Sequence, residues 1–421
     1  MRSNDAQPPS LHSSSRSLPD PAPPRPASAR WLNGESRRTV ALFACLVLVG
    51  LLFPVPDATR TALASSWVEC PGPYQLNGRV QGDRYTLRWE GDDCEGWVEV
   101  LGQVDLNARG GIVRLAPGAR ISGHEEIDGL ERHIRVLPGQ PGKIAVDHRV
   151  DGERTAFDAR ARTWLAEALL LLQRQTGYGA QARVVGILTR EGVTGLVSEL
   201  RRIDNDRVET VYVMAGLQAE AVDAEGRAEL VRAASRSIPS DGDLADVLEK
   251  AAQVARPGDG VLAAVAEASA AVASDADCRR VLATALVAGA TPNEQALLLT
   301  ASSSIRSDRD LAVLLADATP DLDLGRREVR QAYARTASGI GSDADLVHAL
   351  AAVARHGALP DPALAMLLEV SAEIGSEGDL LRLLRIIAEH QELRGETLQA
   401  YTSAAGRLAA EPARRRALEA L

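Results

Sequence analysis

Residues able to do chemistry are few in this 421-residue chain, and they fall into three groups. The first holds the acid–histidine clusters His124-Glu125-Glu126 and Asp147-His148. Imidazole beside carboxylate is the raw material of a metal site or a general acid–base pair. A zinc-binding helix would set two histidines four apart with a glutamate between them, and residue 128 is Asp128. These clusters are therefore expected to be solvated strand residues. The second group is an Asp-x-Asp pair that recurs, as in Asp241-Gly242-Asp243 and Asp343-Ala344-Asp345. Calcium needs more oxygens at fixed steps and a distal glutamate, whereas these pairs run straight into an apolar helix face. The third group is the cysteines. Cys278 stands where sister phrases carry leucine, which reads as a small buried hydrophobe. Cys70 and Cys94 are the plausible disulfide pair, and Cys45 lies in an apolar run. His348, His356 and His390 show no ligand spacing and are expected on the surface. No Cys-x-x-Cys, Gly-x-Ser-x-Gly or phosphate loop occurs in the sequence. The expectation is no catalytic residue, no cofactor, no metal ligand and no enzyme activity.

The acid–histidine clusters lie in a segment that reads as β-structure, residues 67–158. Short alternating runs such as Arg84–Trp89, Gly96–Leu101, Gly111–Leu115, His133–Leu137 and Lys143–Val150 stand between turn signals, among them Gly91-Asp92-Asp93, Pro117-Gly118 and Asp151-Gly152. An antiparallel meander packed as a small sandwich or half-barrel is expected.

The Asp-x-Asp pairs lie in a helical region, residues 159–421. It opens with Ala161–Gln173, whose Trp164, Leu165, Ala168, Leu169 and Leu172 share one face. A phrase then returns: Ile238-Pro-Ser240-Asp, Val272-Ala-Ser274-Asp, Ile305-Arg-Ser307-Asp, Ile340-Gly-Ser342-Asp and Ile374-Gly-Ser376-Glu, with a degenerate first copy at Asn205. The marker residues are 35, 34, 33, 35 and 34 apart. Such a period is the signature of stacked helix pairs. Asn205, Ser240, Ser274, Ser307, Ser342 and Ser376 are expected helix N-caps, with the following acids on the positive end of the helix dipole in an approximate capping box. Positions four, seven and eight after the marker are apolar, as in Leu244, Val247 and Leu248. The Trp and Gly-Tyr signature of tetratricopeptide repeats is absent from the phrases, and the expected class is a HEAT-like αα repeat.

Residues 1–38 read as a Pro/Ser-rich disordered tail, with seven of the 21 prolines before residue 37. Thr39–Val55 is then uncharged over 17 residues. At 1.5 Å per residue that is about 25 Å, enough to cross a bilayer core. Arg37-Arg38 precede it, as a positive-inside anchor requires. Residues 39–56 are read as an uncleaved signal anchor and 57–66 as a linker, with cleavage after Ala62-Leu63-Ala64 as the competing reading. Everything after the span would be periplasmic, and the chain would sit in the inner, cytoplasmic membrane. Export suits a Cys70–Cys94 disulfide. A net charge of −10 and 3% aromatics argue against a nucleic-acid partner and against base-stacking or sugar-stacking grooves.

The stretch from Leu115-Ala-Pro-Gly-Ala-Arg through Asp151-Gly to Phe157-Asp-Ala-Arg-Ala-Arg-Thr-Trp164-Leu, followed by Ile-Gly-Ser-Asp phrases, resembles an uncharacterised bacterial extracytoplasmic module. That module is similar to regions appended to some β-lactam-sensor-type antirepressor metallopeptidases and related membrane proteins. The zinc motif of the peptidase is missing, so the resemblance implies sensing or docking and no enzymatic activity. The expected fold class is α+β and multidomain: a small antiparallel β-domain, then an all-α right-handed solenoid of about six ~34-residue repeats, behind one N-terminal transmembrane helix. The expected function is a non-catalytic, single-pass membrane protein that docks or senses another envelope protein or peptide. The alternatives are an accessory subunit of an envelope enzyme, or a divergent enzyme.

Overall fold

Turn chemistry sets the register of the first region. The computed structural model describes residues 74–140 and 142–421. The expected tail (1–38), anchor (39–56), linker (57–66) and Cys70 lie outside the described residues. Seven strands form one antiparallel sheet in the order β1-β2-β3-β6-β7-β8-β9. They are β1 (Gln75–Gln81), β2 (Arg84–Glu90), β3 (Cys94–Leu101), β6 (Arg120–Ile127), β7 (Leu130–Pro138), β8 (Ile144–Val150) and β9 (Glu153–Arg154). A separate hairpin of β4 (Val104–Leu106) and β5 (Ile112–Leu115) is inserted between β3 and β6. Asp128-Gly129 and Asp151-Gly152 all have positive φ, the two-residue hairpin turn that matches the twist of paired strands.

The expected sandwich or half-barrel is not what forms. One face of the sheet is apolar, with Leu87, Trp89, Val98, Val100, Ile121, Ile134 and Val136 buried. Its cover is a helix, α1 (Ala159–Thr176), which lays Trp164, Leu165, Ala168, Leu169 and Leu172 against β1–β3 in a shared core. The other face is polar, so no second sheet is needed. The β4–β5 loop also closes on α1. Gly110 has φ 78° there, and a Cβ would lie 1.9 Å from the Ala166 carbonyl oxygen.

Beyond α1 the chain is helical: α2 (Ala180–Leu200), α3 (Asp206–Gln218), α4 (Ala224–Ser237), α5 (Asp241–Val254), α6 (Val261–Ser269), α7 (Asp275–Val287), α8 (Pro292–Ala301), α9 (Asp308–Ala318), α10 (Arg327–Ala337), α11 (Asp343–Arg355), α12 (Asp361–Val370), α13 (Glu377–His390), α14 (Gly395–Gly406) and α15 (Glu411–Leu418). Odd helices pack on odd helices from α3 to α15, and even on even from α4 to α14. The result is a two-layered helical array. The apolar phrase positions fill its core: Leu244, Val247, Leu248, Cys278, Val281, Leu282, Leu311, Leu314, Leu315, Leu346, Leu380, Leu383 and Leu384 are all buried. Among the described residues, no helix is long and apolar enough to cross a membrane.

Candidate functional site

Two surfaces collect chemistry. The first is the polar face of the sheet. The Asp128-Gly129 turn pins β6 to β7 so that His124 faces His133 and Glu126 faces Glu131. The next ladders set Trp97 opposite His124 and Glu95 opposite Glu126, then Glu90 opposite Glu95 and Arg88 opposite Trp97. Two parallel rows result. One is Glu90–Glu95–Glu126–Glu131, the other Arg88–Trp97–His124–His133. Like charges set directly opposite one another weaken a sheet, so four carboxylates in one row are a local conflict.

The Glu131 carboxylate lies between the two imidazoles. Its Oε1 is 2.7 Å from His133 Nε2 and 3.8 Å from His124 Nδ1. The rings are 4.5 Å apart and tilted by 33°. His124 is nearly enclosed, at 16% side-chain exposure, whereas His133 and Glu131 are half exposed at 47% and 48%. His124 Nδ1 is buried and has no hydrogen-bond partner. The same histidine stands beside Glu95 and Glu126. A groove of about 380 Å³ opens alongside, lined by Asn77, Arg88, Glu90, Glu95, Trp97 and His124 among others. Beneath the hairpin, Arg132 donates to buried Glu125 at 2.7 Å, and its guanidinium lies 5.3 Å from the Trp164 ring. That pair ties β6–β7 to α1.

The expectation of solvated strand residues fails in part at nearly enclosed His124 and outright at two further positions. Glu125 and His148 are buried, because they share parity with the inward-facing Ile121 and Val146 of their strands. His148 Nδ1 lies 3.0 Å from the Ala156 carbonyl oxygen and 3.1 Å from Thr155 Oγ1. Sequence reasoning also set His124 aside for lack of helical spacing. The usable signal was the Asp-Gly turn, which pairs residues equidistant from it. His348, His356 and His390 are exposed, and Cys278 is buried and free. Cys94 is disulfide-bonded, and its expected partner Cys70 lies outside the described residues.

The second surface belongs to the odd-numbered helices. Asn205, Ser240, Ser274, Ser307, Ser342 and Ser376 each precede one of them and accept from the amide three residues on, at 3.1–3.4 Å. The expected capping box does not form at the Ser-x-x-Asp phrases. The acid three residues on turns outward instead, so that Asp243 meets Arg207, Asp310 meets Arg279 and Asp345 meets Arg309 at 3.1, 3.0 and 3.6 Å. A reciprocal box sits elsewhere, at Thr291 and Glu294.

The first acid of each phrase has a role that the spacing did not disclose. Asp241 accepts from the amides of Ala273 and Ser274, at 3.0 and 2.9 Å. Asp275 does so from Arg306 and Ser307, at 3.1 and 2.9 Å. Asp343 takes Gly375 and Ser376, at 3.2 and 2.7 Å. Asp308 accepts from Gly341 and Glu377 from Ala409 and Ala410. Each carboxylate therefore clamps the backbone at the next phrase, and the bonds form a ladder. Pro239, with no N–H, stands where the first rung would need a donor.

Near the end of this row three arginines gather. Arg355, Arg382 and Arg385 line a groove of about 660 Å³ with Leu381, Ile386 and a single acid, Glu389. Their isolation has a sequence cause. Arg280, six residues after its cap, meets Asp246 and Glu249 of the preceding helix at 3.2 and 2.6 Å. Arg382 is the equivalent residue, and His348 and Ala351 stand at the equivalent acidic positions. None of the three arginines forms an ion pair among the described residues.

Comparison of the chain with family models, curated proteins and solved structures gives no match.

Proposed function

We propose that the chain is a non-catalytic, single-pass membrane protein whose extracytoplasmic part is a docking surface for another envelope protein or peptide. In this reading residues 39–56 are the anchor and residues 1–38 stay in the cytoplasm. The helical region is a right-handed, HEAT-like solenoid of about six ~34-residue repeats. The module likeness noted for the sequence points the same way, to sensing or docking. The observation that carries the reading is the unpaired Arg355–Arg382–Arg385 groove on a helix row whose other charges are largely matched. Arginine forks beside apolar Leu381 and Ile386 suit an acidic segment with a hydrophobic neighbour. In a chain of net charge −10 such a patch is a local exception that would steer an acidic partner.

The test is cross-linked capture from native membranes with the full chain and with Arg382→Glu/Arg385→Glu. Loss of one acidic partner in the double variant, with its retention by Arg207→Glu, supports the reading. Equal capture by all three chains refutes it. A periplasmic reporter enzyme fused at Leu421 should be active; activity of a cytoplasm-only reporter there would refute the topology.

A further inference from the structure

We propose that His124, His133 and Glu131 bind one divalent transition-metal ion of the Zn²⁺ class on the open face of the sheet. This goes beyond the docking reading and does not depend on it.

The donors are already assembled. One ligand atom from each residue lies within 4.8 Å of the other two. Bonds of about 2.0–2.2 Å in a tetrahedral site hold donors about 3.4 Å apart. The observed separations of 2.7 Å, from Glu131 to His133, and 3.8 Å, from Glu131 to His124, straddle that value. The adjustment falls on the two half-exposed side chains, which can turn in solvent. Enclosed His124 is the fixed ligand, and the ion would complete its buried Nδ1, which no hydrogen bond now satisfies. The ion takes the place of the hydrogen between His133 Nε2 and Glu131 Oε1, and the neutral His133 ring then carries its one proton on Nδ1.

The donor set selects the ion. Two imidazoles and one carboxylate suit Zn²⁺, Cu²⁺, Ni²⁺ or Co²⁺, whereas Ca²⁺ and Mg²⁺ demand oxygen ligands in larger number. The surroundings add charge. Glu126 stands directly opposite Glu131, with Glu95 and then Glu90 beyond it, in the row of opposed carboxylates. A divalent ion lessens the repulsion that this register imposes. The buried Glu125–Arg132 pair and Trp164 hold the hairpin from beneath, so the ligands sit on a supported strand pair. Three protein ligands on an exposed face leave the fourth position to water or to a donor from another molecule.

The experiment uses the full chain, stripped with chelator and titrated with ZnCl₂ by calorimetry, with bound metal counted after dialysis. One zinc per chain is expected, undiminished by excess Ca²⁺ or Mg²⁺. His124→Ala, His133→Ala and Glu131→Gln should each weaken binding at least tenfold. His348→Ala and His390→Ala should bind as the parent does. Glu131→Gln preserves size and a polar contact to His133, so its loss of zinc with an unchanged unfolding midpoint in chelator separates ligation from folding. Nitrogen-detected NMR should show the imidazoles of His124 and His133 as the two that shift. Retention of zinc by His124→Ala/His133→Ala, or equal loss in His348→Ala, would overturn the site. So would the absence of any bound zinc in the parent.

Discussion

Removal of one rung of the carboxylate ladder tests whether the recurring Ser-Asp phrase is a cap or a clamp. Asp343→Ala deletes two acceptors, one for the exposed Gly375 amide at 3.2 Å and one for the part-buried Ser376 amide at 2.7 Å. A hydrogen bond to a charged group contributes about 1.5–3 kcal/mol, and water replaces most of that at an exposed amide. The Ser376 bond therefore supplies about 1.5–2 kcal/mol and the Gly375 bond about 0.5. Asp343 also sits in the first turn of α11, where the helix dipole adds about 0.3–1 kcal/mol. The expected loss is about 2.3–3.5 kcal/mol. Asp345→Ala is the matched control. It removes a first-turn acid and one exposed ion pair to Arg309 at 3.6 Å, for about 0.3–2 kcal/mol. Stacked helix pairs are stabilised largely by their neighbours, so global urea unfolding of the full chain should be joined to hydrogen exchange. The Ser376 amide should exchange about 50- to 370-fold faster in Asp343→Ala. If that amide keeps its protection, or if Asp345→Ala proves the more damaging, the clamp contributes nothing and the phrase is only a cap.

Ser342→Ala should cost only about 0.5–1 kcal/mol, since its cap bond is long at 3.4 Å, whereas Leu346→Asp buries a charge in the same helix and should cost several times more in urea unfolding. Glu167 is buried on α1, and burial pushes its carboxyl up to about 7. The protonated form favours the fold, so stability is fullest below about pH 4.5 and falls as pH rises through 7. Glu167→Gln should therefore be more stable than the parent at pH 8, with the gap closing towards pH 5 in thermal unfolding. Burial raises the Glu199 carboxyl, but hydrogen bonding from Arg174 and the charges of Arg183 and Arg174 overcome this and hold it below the ordinary value. Its contribution is present above the unfolded value of 4.5 and is lost as pH falls through the folded one, so Glu199→Gln should show a flatter acid limb. Arg183→Met leaves that buried carboxylate half-paired and should cost about 3–5 kcal/mol in denaturant unfolding.

What was legible in the sequence followed from local rules. Cap chemistry located the starts of α3, α5, α7, α9, α11 and α13, and the spacing of apolar residues gave their buried face. Alternation located most strands. Two kinds of feature escaped. The ladder joins residues 32 and 33 apart, and neither helical nor strand periodicity encodes contact over that distance. The cover of the sheet was misassigned because α1 looks like the first helix of the array. Its tryptophan is the clue, since the repeat phrases carry no aromatic and Trp164 packs against Gly123 on the sheet. The histidine pair lay between these cases. His124 and His133 are equidistant from the Asp128-Gly129 turn, so a hairpin reading of that dipeptide would have put them opposite each other.

The junction between sheet and helices explains why both surfaces can sit on one framework. The apolar core under the sheet ends at Tyr178, and that of the helical array begins at Ala180. Polar contacts join them. Tyr178 takes the Val104 amide at 2.6 Å and donates to its carbonyl oxygen at 2.8 Å, which fixes the β4–β5 hairpin. Arg183 donates to the Ala108 carbonyl at the tip of that hairpin and, at 2.8 Å, to Glu199. Arg174 at the end of α1 grips the same carboxylate with two bonds, at 2.8 and 2.9 Å. Glu199 and Arg183 are only 5% and 4% exposed, so the cost of their desolvation is high. A greasy contact would tolerate many angles between α1 and α2. A buried fork of two guanidiniums on one carboxylate tolerates few. The chain therefore gives up some stability at this joint in exchange for a fixed geometry, and α2 bends at Gly192, at φ 65°, to bring Glu199 back to the arginines.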